Sequence, residues 1–202
     1  MHSSSRSAFT ILELMVVLVI VGILMSVFVI GGGRMFSSSN KRKAQAQLTA
    51  LSAAIEEFRQ IENQYPDDRL PVGVAGNTQN SSAEALFLAF YNPEYTGRRP
   101  DQEWLVNLDG DTLRKPMTSL PTRELFEFGD PWLNPILYFE SLHYGDKVIV
   151  LAGAEGAVEE QTVGALKNER TGAWQAPNGF QLLSAGEDGF FGTEDDISQL
   201  GS

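Results

Sequence analysis

Cysteine is absent from this 202-residue sequence, and histidine occurs only twice. Without cysteine the chain can form no disulfide, no thiolate metal site and no cysteine nucleophile. The sequence also lacks G-x-S-x-G, G-x-x-x-x-G-K and G-x-G-x-x-G, the motifs of a serine nucleophile elbow, a phosphate loop and a dinucleotide site. His143 is the one histidine beyond the first few residues, in a stretch typical of a turn. We therefore predict that the protein is not an enzyme.

Basic residues are also scarce, since 15 Lys and Arg accompany 26 Asp and Glu, for a net charge of -11. They form no long basic stripe with interleaved aromatic residues, so the composition argues against a nucleic-acid partner. Hydrophobic residues make up 43% of the chain and charged residues 20%. This balance predicts one domain with a real core, plus an appendage.

The appendage is an apolar run from Phe9 to Ile30, 22 residues with Glu13 as the single charge. As a helix it would be about 33 Å long, close to the thickness of a hydrocarbon core. A buried core helix rarely runs this long without polar positions, and the apolar region of a signal peptide is shorter. We predict a transmembrane helix over 9–30, with glycines at 31–33 that could break it.

A second helical segment is predicted from about residue 41 to 64, so that the N-terminal helix covers 9–64. Leu48, Leu51, Ile55 and Phe58 are spaced by three, four and three residues, which places them on one amphipathic face. Pro66 is expected to end the helix.

From residue 65 to 202 the apolar runs are short and interrupted by proline and glycine. Strands are predicted at 135–141, 146–153 and 179–186, a short helix at 83–92, and little regular structure at 93–128. The fold class is therefore α+β, with a long N-terminal helix followed by a small antiparallel β-sheet domain.

The sequence A-F-T-I-L-E at 8–13 and the apolar run after it resemble the N-terminus of type IV pilins and type II secretion pseudopilins. In that family a prepilin peptidase removes a short leader, methylates the new amine of a Phe, and leaves a Glu as the fifth mature residue. The resemblance implies a leader at 1–8, cleavage between Ala8 and Phe9, N-methylation of Phe9, and Glu13 at the fifth position. The family usually has Gly before the cut, where this chain has Ala8.

Glu13 also needs a physical explanation, because an unpaired acid inside a bilayer costs about 2–3 kcal/mol or more. In a bundle of staggered helices, Glu13 of one subunit can meet the Phe9 amine of its neighbour, and the pair would set axial register. The alternative is that Glu13, only four residues into the run, lies at the membrane interface.

Three later blocks resemble the major pseudopilins of type II secretion. They are N-Q-Y-P at 63–66, G-D-P-W-L-N-P-I-L-Y-F at 129–139 and S-A-G-E-D-G-F-F-G-T-E-D-D-I at 184–197. In the second block Leu133 replaces a Gly of the family pattern. The segments 72–128 and 154–178 match no family block and are interpreted as insertions.

The last block carries five acids and three glycines, the acids being Glu187, Asp188, Glu194, Asp195 and Asp196. From the residues alone, a solvated acidic loop is the favoured interpretation. The resemblance instead implies a calcium loop, with Asp188, Asp195 and Asp196 as acidic ligands and a carbonyl near Ala185 completing the shell.

The resemblance implies a structural subunit of a secretion pseudopilus, anchored by one span in the inner membrane with its soluble domain in the periplasm, and extracted into a periplasmic filament. Its expected partners are further copies through the N-terminal helices, minor pseudopilins, the inner-membrane assembly platform and the prepilin peptidase. Basic residues flank the run once before it, at Arg6, and more often after it, so charge counting alone favours the opposite orientation.

Two other functions stay open. One is a type IV pilus subunit for adhesion or DNA uptake, and the other is a membrane-tethered calcium-binding module that does not polymerise.

Overall fold

The structure is a computed structural model that describes residues 11–74, 76–154 and 157–200, with the backbone alone over 26–37. The chain separates into two compact units, one ending at Ser39 and the other beginning at Asn40. Helix α1 (Ile11–Glu62) supplies residues to both.

Helix α1 is continuous in the structure, whereas the sequence suggested a possible break at 31–33. Glycine lowers helix propensity by about 1 kcal/mol per residue but does not forbid helical dihedral angles, so long helical flanks can carry the helix across. Within the described residues, none of the helices combines the length with the hydropathy that crossing a membrane requires. The predicted span at 9–30 begins outside those residues and stays a prediction.

The predicted apolar face of α1 is confirmed from Leu48 onward. Leu48, Leu51 and Ile55 are completely buried, and Phe58 is nearly so. The helix ends at Glu62, slightly before the predicted end, because Asn63 takes a left-handed conformation with φ 59° that closes the last turn. Pro66 follows in the connecting loop.

The predicted short helix is α2 (Ser81–Tyr91), and the strands that follow are short. In chain order they are β1 (Leu105–Val106), β2 (Glu127–Phe128), β3 (Leu137–Glu140), β4 (Lys147–Ala152), β5 (Glu159–Gly164), β6 (Phe180–Ser184) and β7 (Ile197–Ser198). Two 3-10 turns occur as well, Gln102–Trp104 directly before β1 and Ser141–His143 between β3 and β4.

The strands of the described residues pair into three small antiparallel sheets rather than the one that the sequence predicted. β1 pairs with β2, β4 forms a hairpin with β5, and β6 lies between β3 and β7. The α+β class, a helix followed by small antiparallel sheets, is confirmed at this level.

The β3–β6–β7 sheet separates two hydrophobic clusters, because alternate side chains of β3 point to opposite faces. Tyr138 joins the first cluster, with the buried face of α1 and with α2. Leu137 and Phe139 join the second, with Val150 of β4. Strand β6 is buried along its whole length, and it leads directly into the acidic loop.

Candidate functional site

The described part of the apolar run, from Ile11 to Met25, forms an uncovered stretch of helix α1. Every large apolar side chain from Ile11 to Met25 is exposed by 44% or more. Glu13 lies in the first turn of α1, where the helix dipole favours a negative charge. An apolar surface of this extent needs lipid or other apolar helices to cover it. Ala8 and Phe9, the predicted cleavage and methylation residues, lie outside the described residues.

The acidic loop that connects β6 to β7 turns on three left-handed glycines. Gly186, Gly189 and Gly192 have φ of 68°, 72° and 90°, a conformation that other residues adopt only with strain. A Cβ on Gly186 would lie 2.4 Å from the carbonyl oxygen of Asp195, so the two ends of the loop meet there. This compactness matches the tight turning that the sequence indicated.

The five acids of the loop separate into two groups. Glu187 and Glu194 are exposed, whereas Asp188, Asp195 and Asp196 are half-buried. Ala185, whose carbonyl was the fourth predicted ligand, is completely buried where β6 runs into the loop. The structure thus brings the three predicted aspartates into one turn and leaves the two glutamates at its surface.

The three aspartates also accept hydrogen bonds from the loop itself. Asp195 accepts from the N–H of Asp188 at 3.0 Å and from the hydroxyl of Thr193 at 2.6 Å. Asp196 accepts through Oδ2 from the N–H of Gly192 at 2.7 Å, and Asp188 accepts from that of Phe190 at 2.8 Å. These bonds give the loop a defined conformation.

The charges of the aspartates act on one another. Burial would raise the pKa of Asp195, but its hydrogen bonds, first that from Thr193, outweigh burial and lower it. Burial also raises the pKa of Asp196, and the charges of Asp195 and Asp188 add to that rise. Oδ1 of Asp196 is buried and accepts no hydrogen bond within the described residues. No Lys, Arg or His of the described residues lies within ion-pair distance of Asp196, so its ionised carboxylate has no counter-charge among them.

A calcium ion would fit this loop in part. The orphaned Asp196 oxygen and the repulsion among the aspartates favour a cation. However, no three acidic side chains of this described loop bring ligand oxygens within 4.8 Å of one another. A full shell of six to eight oxygens would therefore need backbone carbonyls, such as that of Ala185, as well as Asp188, Asp195 and Asp196.

The loop is fixed to the β4–β5 hairpin by Gln161 of β5. Its Nε2 donates to the carbonyl of Gly189 at 2.8 Å, and its Oε1 accepts from the N–H of Phe191 at 2.9 Å. Gly189 passes so close to Gly153 that an added Cβ would lie 2.2 Å from the Gly153 carbonyl carbon. Any change of conformation in the loop would therefore reach the hairpin.

The turn at 129–135 is organised by its aspartate. Oδ1 of Asp130 accepts from the N–H groups of Trp132 at 2.9 Å and Asn134 at 3.0 Å. Leu133 has φ 71° and an exposed side chain. This position, where the family pattern has Gly, is one that requires a left-handed residue.

The comparisons with known proteins cover the N-terminal motif and nearly the whole length of the chain. A family profile described as a prokaryotic N-terminal methylation motif matches residues 3–29. The type II secretion system core protein G of Escherichia coli K12 is 28% identical over 98% of this chain and 94% of its own length. The chain is pseudopilin-like. The same core protein of Aeromonas hydrophila is 29% identical over 52% of this chain and 71% of its own length. No solved structure matches the chain at a significant level.

Two features of this pseudopilin-like chain were missed by the sequence reasoning. Gln161 lies in a segment that matched no family block, and its strand, E-E-Q-T-V-G, has little apolar character. His143 ends a 3-10 turn, in agreement with the expected turn position, but the contact of its Nδ1 with Oδ1 of the buried Asp68 at 2.5 Å was not predicted. The adjacent β-branched residues Thr162 and Val163 were the available signal for the strand.

Proposed function

We propose that this chain is a structural subunit of a type II secretion pseudopilus that assembles through its N-terminal helix to support protein export. The observation that carries the proposal is the 28% identity to a type II secretion core protein over 98% of the chain. Because the similarity covers the soluble unit as well as the N-terminal motif, it favours the secretion family over a generic pilin.

The helix surface supports assembly. A helix exposed all round from Ile11 to Met25 can be covered first by lipid and then by the helices of neighbouring subunits. In that setting we infer that Glu13 pairs with the methylated Phe9 amine of a neighbour, after a prepilin peptidase has cut between Ala8 and Phe9. Such a pair would fix the axial register of a homopolymer.

The proposed location follows from the same role. The apolar helix would hold the subunit in the inner membrane, with the soluble unit in the periplasm, until the assembly platform extracts it into a filament. Minor pseudopilins are the other proposed components of that filament.

We further propose that the loop between β6 and β7 binds calcium through Asp188, Asp195, Asp196 and backbone carbonyls. When bound, the ion would supply the positive charge that the three aspartates lack. Gln161 would then transmit the order of the loop to the β4–β5 hairpin.

The test is deletion of the gene in its source organism, followed by measurement of proteins released into the medium and of pilus-dependent adhesion and DNA uptake. The proposal expects export to fall and to recover with the wild-type gene. Normal export with loss of adhesion or DNA uptake would instead identify a type IV pilus subunit. Normal performance in all three assays would favour the membrane-tethered module.

A further inference from the structure

Four acidic side chains meet inside the part of the chain that matched no family block. Glu84 belongs to the first turn of α2, Asp109 and Asp111 to the loop after β1, and Glu127 to β2. Carboxylate oxygens of Glu84, Asp109 and Glu127 all lie within 4.8 Å of one another. None of these residues belongs to the loop between β6 and β7.

Two asparagines hold the outer oxygens of the cluster. Asn77 donates its backbone N–H to Oδ2 of Asp111 at 3.2 Å and its amide to Oδ2 of Asp109 at 3.0 Å. Asn80, the residue before α2, donates its amide to Oε1 of Glu127 at 2.5 Å. The acids are therefore oriented by neutral donors on one side.

The inner oxygens have no such donors. Both oxygens of Glu84, Oε2 of Glu127 and Oδ1 of Asp111 are inaccessible to solvent, and no N–H or hydroxyl group of the described residues donates to them. The inner oxygens of Glu84 and Asp111 can hydrogen-bond only to each other, and only while one of the two carboxyls holds a proton. Glu84 and Glu127 are each 0% exposed. A buried polar atom without a partner is rare in native proteins and often indicates an ion or water that is not seen.

The cluster also lacks a positive charge. Among the described residues, no Lys, Arg or His lies within ion-pair distance of any of the four acids. Burial and then the charge of Asp111 raise the pKa of Glu84 to about 10, and burial and then the charge of Asp109 raise that of Glu127 to about 8. Ionised carboxylates here therefore need a cation to be stable.

We propose that Glu84, Asp109, Asp111 and Glu127 form a binding site for one calcium ion, separate from the loop between β6 and β7. All four side chains offer carboxylate oxygens, which calcium prefers, and none offers the nitrogen or sulfur that zinc prefers. Calcium binds oxygens at about 2.3–2.6 Å, so ligands on opposite sides of the ion lie about 5 Å apart, and the oxygens of Glu84, Asp109 and Glu127 lie close enough together to share one such ion. Magnesium requires shorter bonds in a strict octahedron and usually keeps several waters, so it should bind more weakly in this buried site.

The ion would join elements that are distant in the chain. It would connect the start of α2, the loop at 107–111 and strand β2, and Asn80 extends the connection to β4 by accepting from the N–H of Leu151. Binding would therefore fasten the long segment at 93–128 to the rest of the second unit. The inference does not depend on the proposed role in secretion.

The experiment measures calcium binding by isothermal titration calorimetry on the full chain in detergent, after removal of metal with a chelator. The starting protein is the Asp195→Asn variant, so that the loop between β6 and β7 contributes little binding. We expect this variant to bind one calcium ion per chain, and magnesium at least tenfold more weakly.

Further substitutions are made in that variant. Glu127→Gln and Asp109→Asn should each weaken calcium binding at least tenfold, because each removes a charge and a ligand oxygen. Glu124→Gln, which removes an exposed acid three residues from Glu127, should leave the affinity unchanged. Circular dichroism checks that each variant is folded. If Glu127→Gln does not fold, the calcium affinity of Asp109→Asn alone tests the site. Asp109 is half-buried, so its substitution should disturb the fold less than that of the buried Glu127.

Two results would overturn the proposal. One is an Asp195→Asn variant that is folded and binds no calcium. The other is calcium binding that Asp109→Asn and Glu127→Gln leave unchanged. Either result would identify the cluster as a group of protonated acids that only fills the core.

Discussion

The hydroxyl of Ser184 donates a hydrogen bond of 2.6 Å to Oδ2 of Asp130 inside the core. Oδ1 of Asp130 organises the turn at 129–135, so this one side chain joins that turn to the end of β6. Burial raises the pKa of Asp130 to about 6, even though the hydrogen bonds from Ser184, Trp132 and Asn134 oppose the rise.

We predict that Asp130 makes stability fall between about pH 4 and pH 6. The native carboxyl holds its proton more tightly than the unfolded one, so its contribution is complete below the unfolded pKa and is lost as the pH rises through 6. The loss amounts to at most about 3 kcal/mol in the free energy of unfolding. In Asp130→Asn the amide can still hydrogen-bond to both the turn and Ser184. The substitution should remove the fall in the free energy of unfolding that Asp130 causes between pH 4 and 6, as measured by urea unfolding at several pH values.

The matched control is Glu169→Gln, which neutralises an exposed acid and should keep the wild-type slope. If the free energy of unfolding changes with pH in the same way for wild type and Asp130→Asn between pH 4 and 6, the prediction is wrong.

The loop between β6 and β7 should make the melting temperature depend on calcium. A ligand at a hundred times its Kd stabilises the folded state by about 2.7 kcal/mol. We predict that Asp195→Asn reduces the rise in Tm of the full chain in detergent between chelator and millimolar calcium. Glu159→Gln, an exposed acid on β5, should leave the rise unchanged. If both variants show the wild-type rise, the loop is a solvated acidic turn.

Leu133 should be replaceable by glycine without loss of stability. The left-handed conformation costs a non-glycine residue about 1–2 kcal/mol, and the exposed Leu133 side chain gains little from burial in return. We predict that Leu133→Gly raises the free energy of unfolding by up to about 1 kcal/mol, whereas the β-branched Leu133→Val lowers it. Leu142→Gly, at an exposed position without positive φ, should destabilise slightly. Thermal denaturation of the three variants measures these changes in stability. If Leu133→Gly is less stable than wild type, the Leu133 side chain contributes packing that outweighs the cost of its left-handed conformation.

Processing of the N-terminus can be followed by intact mass. In a host with an active prepilin peptidase, we predict loss of residues 1–8 and one added methyl group on Phe9. Ala8→Gly, which restores the usual residue before the cut, should be processed at least as fast. A membrane-extracted protein that keeps its leader in such a host would refute this prediction.

Glu13→Leu should block filament assembly while the soluble unit stays folded. The substitution removes a charge from the apolar helix, so membrane residence should persist, and what is lost is the partner of a neighbour's Phe9 amine. Cross-linking of sheared filaments that contain tagged wild-type and variant subunits would measure incorporation. Leu14→Ile, an apolar exchange beside it, should assemble normally. Equal incorporation of Glu13→Leu would show that the acid does not set register.

The sequence could predict those elements whose signal is local. The face formed by Leu48, Leu51, Ile55 and Phe58 follows from helical spacing, and β3 and β6 follow from short apolar runs. Strand β5 could not be predicted with the same ease, because E-E-Q-T-V-G becomes a strand through pairing with β4. The division into three sheets likewise depends on contacts across long insertions.

The candidate sites follow the same rule. Asp188, Asp195 and Asp196 are close in sequence, so one tight loop brings them together. Gln161 reaches that loop from about thirty residues away, and a single glutamine carries no signal of such a role. From the sequence, Glu84 is indistinguishable from an exposed acid on a short helix, and only the tertiary structure shows that it is buried beside Glu127.

Asn80 ties three distant parts of the chain together, and this affects the order of folding. Its amide reaches Glu127, 47 residues away, and its Oδ1 and backbone N–H meet Leu151 and Ile149 of β4, about 70 residues away. Contacts of such separation are slow to form, because the loop must close before any bond compensates the lost entropy. During synthesis, the start of α2 therefore stays incomplete until the ribosome has released the chain beyond Leu151.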